Sequence, residues 1–140
     1  MGVDGSESSI EALRYAASLA PALGAKIQAV ACWHFPYMYA GILEAADVQE
    51  YENSAKQTLE EAIKKAFDGR EQPDIGTSVL NGPAASTLID ASERASMLIL
   101  GRRGHGGFSG LRLGSVSTAC VSHATCPVLV VHGGAKRHSH

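Results

Sequence analysis

The chain reads as an α/β domain built on an open parallel sheet with helices on both faces. Three observations predict this. Helix-period and strand-period segments alternate along the whole length. Met97-Leu98-Ile99-Leu100 is apolar at every position, as in a strand covered on both faces. The 140 residues suffice for one such domain with a proper core, and no internal repeat or low-complexity linker divides them.

Only Met1 to Val3 precede Asp4, beside the roughly 5–6 residues usual for a central strand, so the first strand is either trimmed or a stub. Ser6 caps a helix over about 7–23 with Ile10, Leu13, Ala17 and Ala20 on one face, and Gly24 ends it. Ile27 to Trp33 is a strand, followed by a loop through Pro36, Tyr37 and Gly41. A helix over about 47–68 turns Tyr51, Ala55, Leu59, Ala62 and Ala66 inward and stops at Gly69. Ile75, Thr77 and Val79 alternate with polar or small residues, as in a half-exposed edge strand. Asn81-Gly82-Pro83 is a turn opening a helix that runs to about Arg94 and buries Ala84, Leu88 and Ala91. After the Met97–Leu100 strand, Ser115 to His123 form a short helix with Val116, Ala119 and Cys120 inward. Val128 to Val131 are the last strand; the domain spans 1–134 and a tail covers 135–140.

Apolar residues make up 45% and charged ones 19%, as in ordinary globular proteins. No apolar run approaches the roughly 20 residues of a membrane span. Met1-Gly2-Val3-Asp4-Gly5-Ser6 lacks the basic flank and apolar stretch of a signal peptide, so a cytoplasmic location is expected. Cys32, Cys120 and Cys126 show no CxxC or zinc spacing and are read as small buried thiols.

The net charge of −2 hides an asymmetry. All 14 carboxylates fall within residues 1–93, whereas Arg94 to His140 carry only Arg and Lys charges. A segment without carboxylates suits a small polyanion such as a triphosphate. Nucleic acid is not expected: interleaved aromatics and a basic helix face are lacking.

Ligands of open α/β sheets bind beyond the carboxyl ends of the strands. The loops after Val3 and after Leu100 occupy such ends. Gly101-Arg102-Arg103-Gly104 begins a glycine-rich segment that closes at Gly114-Ser115-Val116-Ser117, where a helix starts. The glycines admit close backbone approach, the helix start offers unpaired N–H groups to phosphate, and the Ser115 and Ser117 hydroxyls add hydrogen bonds. A ligand-free flexible loop is the bland alternative. Asp4 is read as a ligand contact or as a loop carboxylate capping the next helix. Trp33 and His34 read as a packing aromatic and a surface imidazole, His138 and His140 as tail.

The spacing Gly101-x2-Gly104-x9-Gly114-Ser115 resembles the G-x2-G-x9-G-[S/T] signature of ATP-binding universal stress proteins. Val3-Asp4-Gly5-Ser6 resembles that family's opening V-D-x-S, and Cys126-Pro127-Val128-Leu129-Val130-Val131 its closing strand. The resemblance implies a Rossmann-like, five-stranded parallel sheet of order 3-2-1-4-5. It implies Val3 and Asp4 near adenine and ribose, Cys32 offering backbone groups to adenine, and Gly101, Arg102, Arg103 and Gly104 lining ribose and phosphates. Gly114, Ser115, Val116 and Ser117 would hold the phosphates. ATP, or ADP or AMP, is the implied ligand, with Mg²⁺ on the phosphates; AMP or cyclic AMP fits too, since the loop does not count phosphates. Asp4 without His, Glu or Asp companions makes no protein-only metal site.

A binding or regulatory module in a stress response is the leading expectation. An enzyme, such as a slow ATP hydrolase, is the alternative: no G-x4-G-K-[S/T] motif is present, and Asp4 is the sole carboxylate near the site. The resemblance places the uncharged Val128–Val131 strand at a sheet edge and implies a homodimer paired through it, which would cover that edge. The triggering stress and any downstream partner are not legible.

Overall fold

A computed structural model describes residues 1–34, 45–102 and 113–133. Its helices and strands alternate: α1 Glu7–Leu23, β1 Ile27–Trp33, α2 Ala45–Ala66, β2 Ile75–Asn81, α3 Ala84–Ser92, β3 Leu98–Gly101, α4 Ser115–His123 and β4 Val128–Val131. Among the described residues all strand pairing is parallel, as alternation with helices requires. The architecture is α/β and Rossmann-like.

Two ladders form. β1 pairs with β2 from Ile27↔Ile75 to Trp33↔Asn81, and β3 pairs with β4 from Leu98↔Val128 to Gly101↔Val131. Among the described residues Met1–Val3 makes one isolated bridge, Gly2↔Val30, three residues being too few for a ladder. It nevertheless touches both sheets. Val30 N–H donates to the Met1 carbonyl, Val3 N–H to the Val30 carbonyl, and Gly2 N–H to the Ile99 carbonyl. The expected five-stranded sheet thus takes the form of two two-stranded parallel sheets with this segment against each.

Alternation along the strands sorts the core into faces. Ala29 and Ala31 pack with Leu13 of α1, with Leu59, Ala62 and Ile63 of α2, and with Phe67 just past its end. Ile27, Ile99 and Val131 pack under Ala12 and Ala16 of α1. Val30, Leu98 and Leu100 point to the other cluster, with Leu88 of α3 and Cys120 of α4. The short α3 and α4 therefore cover the face opposite α1 and α2.

Local chemistry sets the helix ends. Ser6 caps α1, its Oγ accepting from Ser9 N–H at 3.3 Å. At the far end Gly24 is left-handed at φ 61°, with Gly24 N–H donating to Pro21 and Ala25 N–H to Ala20. This Schellman arrangement satisfies carbonyls that the helix end leaves open. Arg14 joins α1 to α2 by donating to the carbonyls of Ala66 and Lys65. Three expectations need correction. Tyr51, assigned to the inner face of α2, is 42% exposed, because burial in α2 begins only near Leu59. α3 ends at Ser92 rather than Arg94: the Ser92 hydroxyl donates to the Ile89 carbonyl, and Thr125 N–H donates back to Ser92. Met97 precedes β3 instead of opening it.

Candidate functional site

The carboxyl ends of β1, β3 and the Met1–Val3 segment meet the amino ends of α1 and α4. Val3 is buried in the core, so its side chain is a floor to the site. Asp4 follows at the surface. Its Oδ1 accepts from Ser6 N–H at 2.9 Å and from Ser6 Oγ at 2.6 Å. One Asp4 oxygen thus braces Ser6, and it is Ser6 that caps α1. Gly5, at φ 85°, lets the chain turn from the strand end into α1.

Cys32 sits where β1 runs past the end of Met1–Val3. Both Val30 backbone groups bond to that segment, whereas the Trp33 carbonyl accepts from Gly82 N–H on the β2 side. Alternation therefore turns the Cys32 N–H and carbonyl to the Val30 side, beyond Val3, where the described residues supply no backbone partner. Its side chain packs with the Cys120 cluster. Burial pushes the Cys32 thiol above its ordinary pKa, and the neighbouring Cys120 adds to this; burial does the same to Cys120. The three cysteines are free thiols; Cys120 is buried, and Cys32 and Cys126 are half-buried.

Gly101 ends β3, and its missing side chain has a cause that the sequence did not reveal. A Cβ there would lie 2.6 Å from the Ser8 carbonyl carbon and 2.7 Å from the Ser9 nitrogen. The first turn of α1 fills the space that a side chain would need. Gly133, just past β4, also abuts Ser8. The signal that would find Ser8 and Ser9 is the pairing of two small serines with two strand-end glycines, a long-range relation absent from local pattern.

Arg102 continues from Gly101, its N–H donating to the Val131 carbonyl at 2.7 Å and its carbonyl accepting from Gly114 N–H at 2.9 Å. The two ends of the glycine-rich segment are thereby held together. Gly114 caps α4 with ordinary extended geometry, φ −74° and ψ 171°, and supplies no side-chain cap. The first-turn amides of Ser115, Val116 and Ser117 have no hydrogen-bond partner among the described residues, as expected of an uncapped helix start. Ser115 is exposed, Val116 half-buried and Ser117 buried. No acidic residue lies in that turn. The Ser117 hydroxyl is committed inward, donating to the Gly101 carbonyl at 2.7 Å.

Of the expected site residues, Val3, Asp4, Cys32, Gly101, Arg102, Gly114, Ser115, Val116 and Ser117 fall on these converging ends. Arg103 and Gly104 lie outside the described residues, as do the rest of the glycine segment to Arg112, the loop through Pro36 and Gly41, and the tail with His138 and His140. Trp33 is half-buried and His34 exposed. Among the described residues no group of three His, Cys, Asp or Glu is placed to hold a metal ion, and no helix is long and apolar enough to cross a membrane.

Residues 1–132 match the family model of the universal stress protein family. A universal stress protein of Mycolicibacterium smegmatis is 36% identical over 144 residues, covering 95% of this chain and 47% of that protein. The chain spans about half the length of the mycobacterial relatives it matches. Among solved structures, the universal stress protein UspA from Lactobacillus plantarum superposes with a TM-score of 0.75 at 20% identity, covering 93% of each chain, and shares the fold. A universal stress protein in complex with cAMP has a TM-score of 0.60 at 25% identity, covering 96% of this chain and 94% of its own. With the family model spanning nearly its whole length, the chain belongs to the universal stress protein family.

Proposed function

We propose that this protein binds an adenine nucleotide at the carboxyl ends of β1 and β3 and acts as a binding or regulatory module in a stress response. The observation that carries this is the start of α4. Three backbone N–H groups without partners among the described residues, no acidic side chain in the turn and the positive end of the helix dipole together suit a phosphate. The Cys32 backbone, unpaired among the described residues, supplies a donor and an acceptor for the adenine edge. Asp4 keeps one oxygen on Ser6 and offers the other to the ribose or to a phosphate-bound Mg²⁺. Arg102, whose backbone joins Val131 to Gly114, is assigned by the resemblance to the ribose and phosphates, as are Arg103 and Gly104. The bonds of Met1 and Val3 with Val30, and of Gly2 N–H to the Ile99 carbonyl, support a five-stranded order of 3-2-1-4-5, with Met1–Val3 in the middle.

ATP is the proposed ligand. Cyclic AMP is the second reading, supported by the 25%-identical relative solved in complex with it. Mass spectrometry of ligand released from freshly purified protein separates the two. Calorimetry then tests the site: Gly114→Ala with Ser115→Ala keeps the backbone amides but removes the Ser115 hydroxyl and places a Cβ at the helix start, and should weaken ATP binding by about 1.5–3 kcal/mol, the worth of one charge-assisted hydrogen bond. The extended geometry of Gly114 accepts alanine, so the fold should survive. A folded double variant with unchanged ATP affinity would refute the assignment. Turnover above background that disappears in Asp4→Ala would instead favour an ATP hydrolase.

A further inference from the structure

We infer that the Ser117 hydroxyl is a positioning group of the nucleotide site, one that sets the phosphate-facing amides of α4 without itself touching the nucleotide. This rests on the proposed phosphate site. Residue type and location alone would put the Ser117 hydroxyl on a phosphate beside Ser115, but the geometry points elsewhere. Ser117 is 3% exposed, and its Oγ donates to the Gly101 carbonyl at 2.7 Å. A hydroxyl has a single proton to donate. With that proton on a carbonyl, the oxygen presents only lone pairs, which repel a phosphate oxygen.

The bond has a mechanical consequence. α4 has no side-chain cap, so its first turn lacks the usual anchor. Two bonds tie it to the end of β3 instead: Gly114 N–H to the Arg102 carbonyl, and Ser117 Oγ to the Gly101 carbonyl. Gly101 cannot yield, because α1 occupies its side-chain space and Arg102 N–H is fixed to Val131. The Ser117 bond thus references the amides of Ser115, Val116 and Ser117 to a rigid strand end. Preorganised donors bind more tightly because less ordering remains to be done on binding.

The test uses the full chain, with ATP and adenosine as probes for calorimetry and hydrogen exchange measured without ligand. Ser117→Ala should weaken ATP binding by roughly threefold to tenfold, the worth of one neutral hydrogen bond. Adenosine, which has no phosphate, should bind Ser117→Ala as it binds the unmodified protein. Ser117→Thr, which keeps the hydroxyl, should restore ATP affinity. Exchange of the 115–118 amides in ligand-free protein should quicken in Ser117→Ala. Ser117→Cys, near in volume but a weak donor, takes its place if the alanine variant does not fold. Weakened ATP binding with unchanged ligand-free exchange would mean direct phosphate contact and overturn the inference. Unchanged ATP affinity, or equal losses for ATP and adenosine, would overturn it as well. Failure of the unmodified protein to bind ATP would overturn the site itself, a result distinct from any of these.

Discussion

Gly101 shows what a single residue can and cannot reveal. A glycine at a strand end was legible as a place of close approach. What approaches it was not: the first turn of α1 lies more than 90 positions earlier in the chain, and no local pattern links the two. We predict that Gly101→Ala destabilises the fold by about 1–3 kcal/mol, since the nearest atoms include backbone that cannot rotate away. A urea midpoint unchanged from the parent would contradict this. Cys120 was likewise legible as a buried thiol, and the structure adds a pH consequence. Burial raises its pKa above the ordinary 9.0, and Cys32 shifts the same way. In alkaline solution the folded state then keeps protons that the unfolded chain releases. The stabilisation is complete below the unfolded pKa and is lost as pH rises through the folded value. Unfolding midpoints should fall above about pH 9, and less steeply in Cys120→Ala than in the parent; equal slopes would show that the thiol does not take part.

At the scale of elements, the readable features were those whose chemistry is local. The start of α1 at Ser6 and its end at Gly24 are each decided within a few residues, and both fell where expected. Gly24 has no atom within 4 Å of an added Cβ, so Gly24→Ala isolates the cost of the left-handed backbone. That cost should be about 1 kcal/mol, seen as a lowered unfolding midpoint, and Gly24→Asn should recover part of it. The readings that failed depended on neighbours. Tyr51 shares a helical stripe with Leu59 and Ala62, but helical period says nothing about how far the covering surface extends along α2. The end of α3 is set by a bond between Ser92 and Thr125, which sit 33 residues apart. The same division runs through the candidate site. The Gly114-Ser115 helix start was visible as spacing, while the inward turn of the Ser117 hydroxyl was not.

For the whole molecule, the open question is what lies beside β4. Among the described residues β4 pairs with β3 alone, and Val128, Leu129 and Val130 are each only half-buried. The strand carries no charge, and unpaired edges of that kind invite another strand. α1, which packs on β3 and β4, adds apolar surface: Leu19 sits in the cluster with Leu129, and Tyr15 and Leu23, one turn to either side of Leu19, are exposed. A second copy meeting β4 antiparallel about a two-fold axis would pair the edge and cover this stripe together. We therefore predict a homodimer paired through Val128–Val131. Val130→Lys places two buried charges across the two-fold and should raise the dissociation constant by at least roughly tenfold, with circular dichroism confirming the fold. Light scattering of the unmodified protein at tens of micromolar, roughly, should give the mass of two chains. A mass of one chain would leave β4 without this partner, and a dimer indifferent to Val130→Lys would move the interface elsewhere.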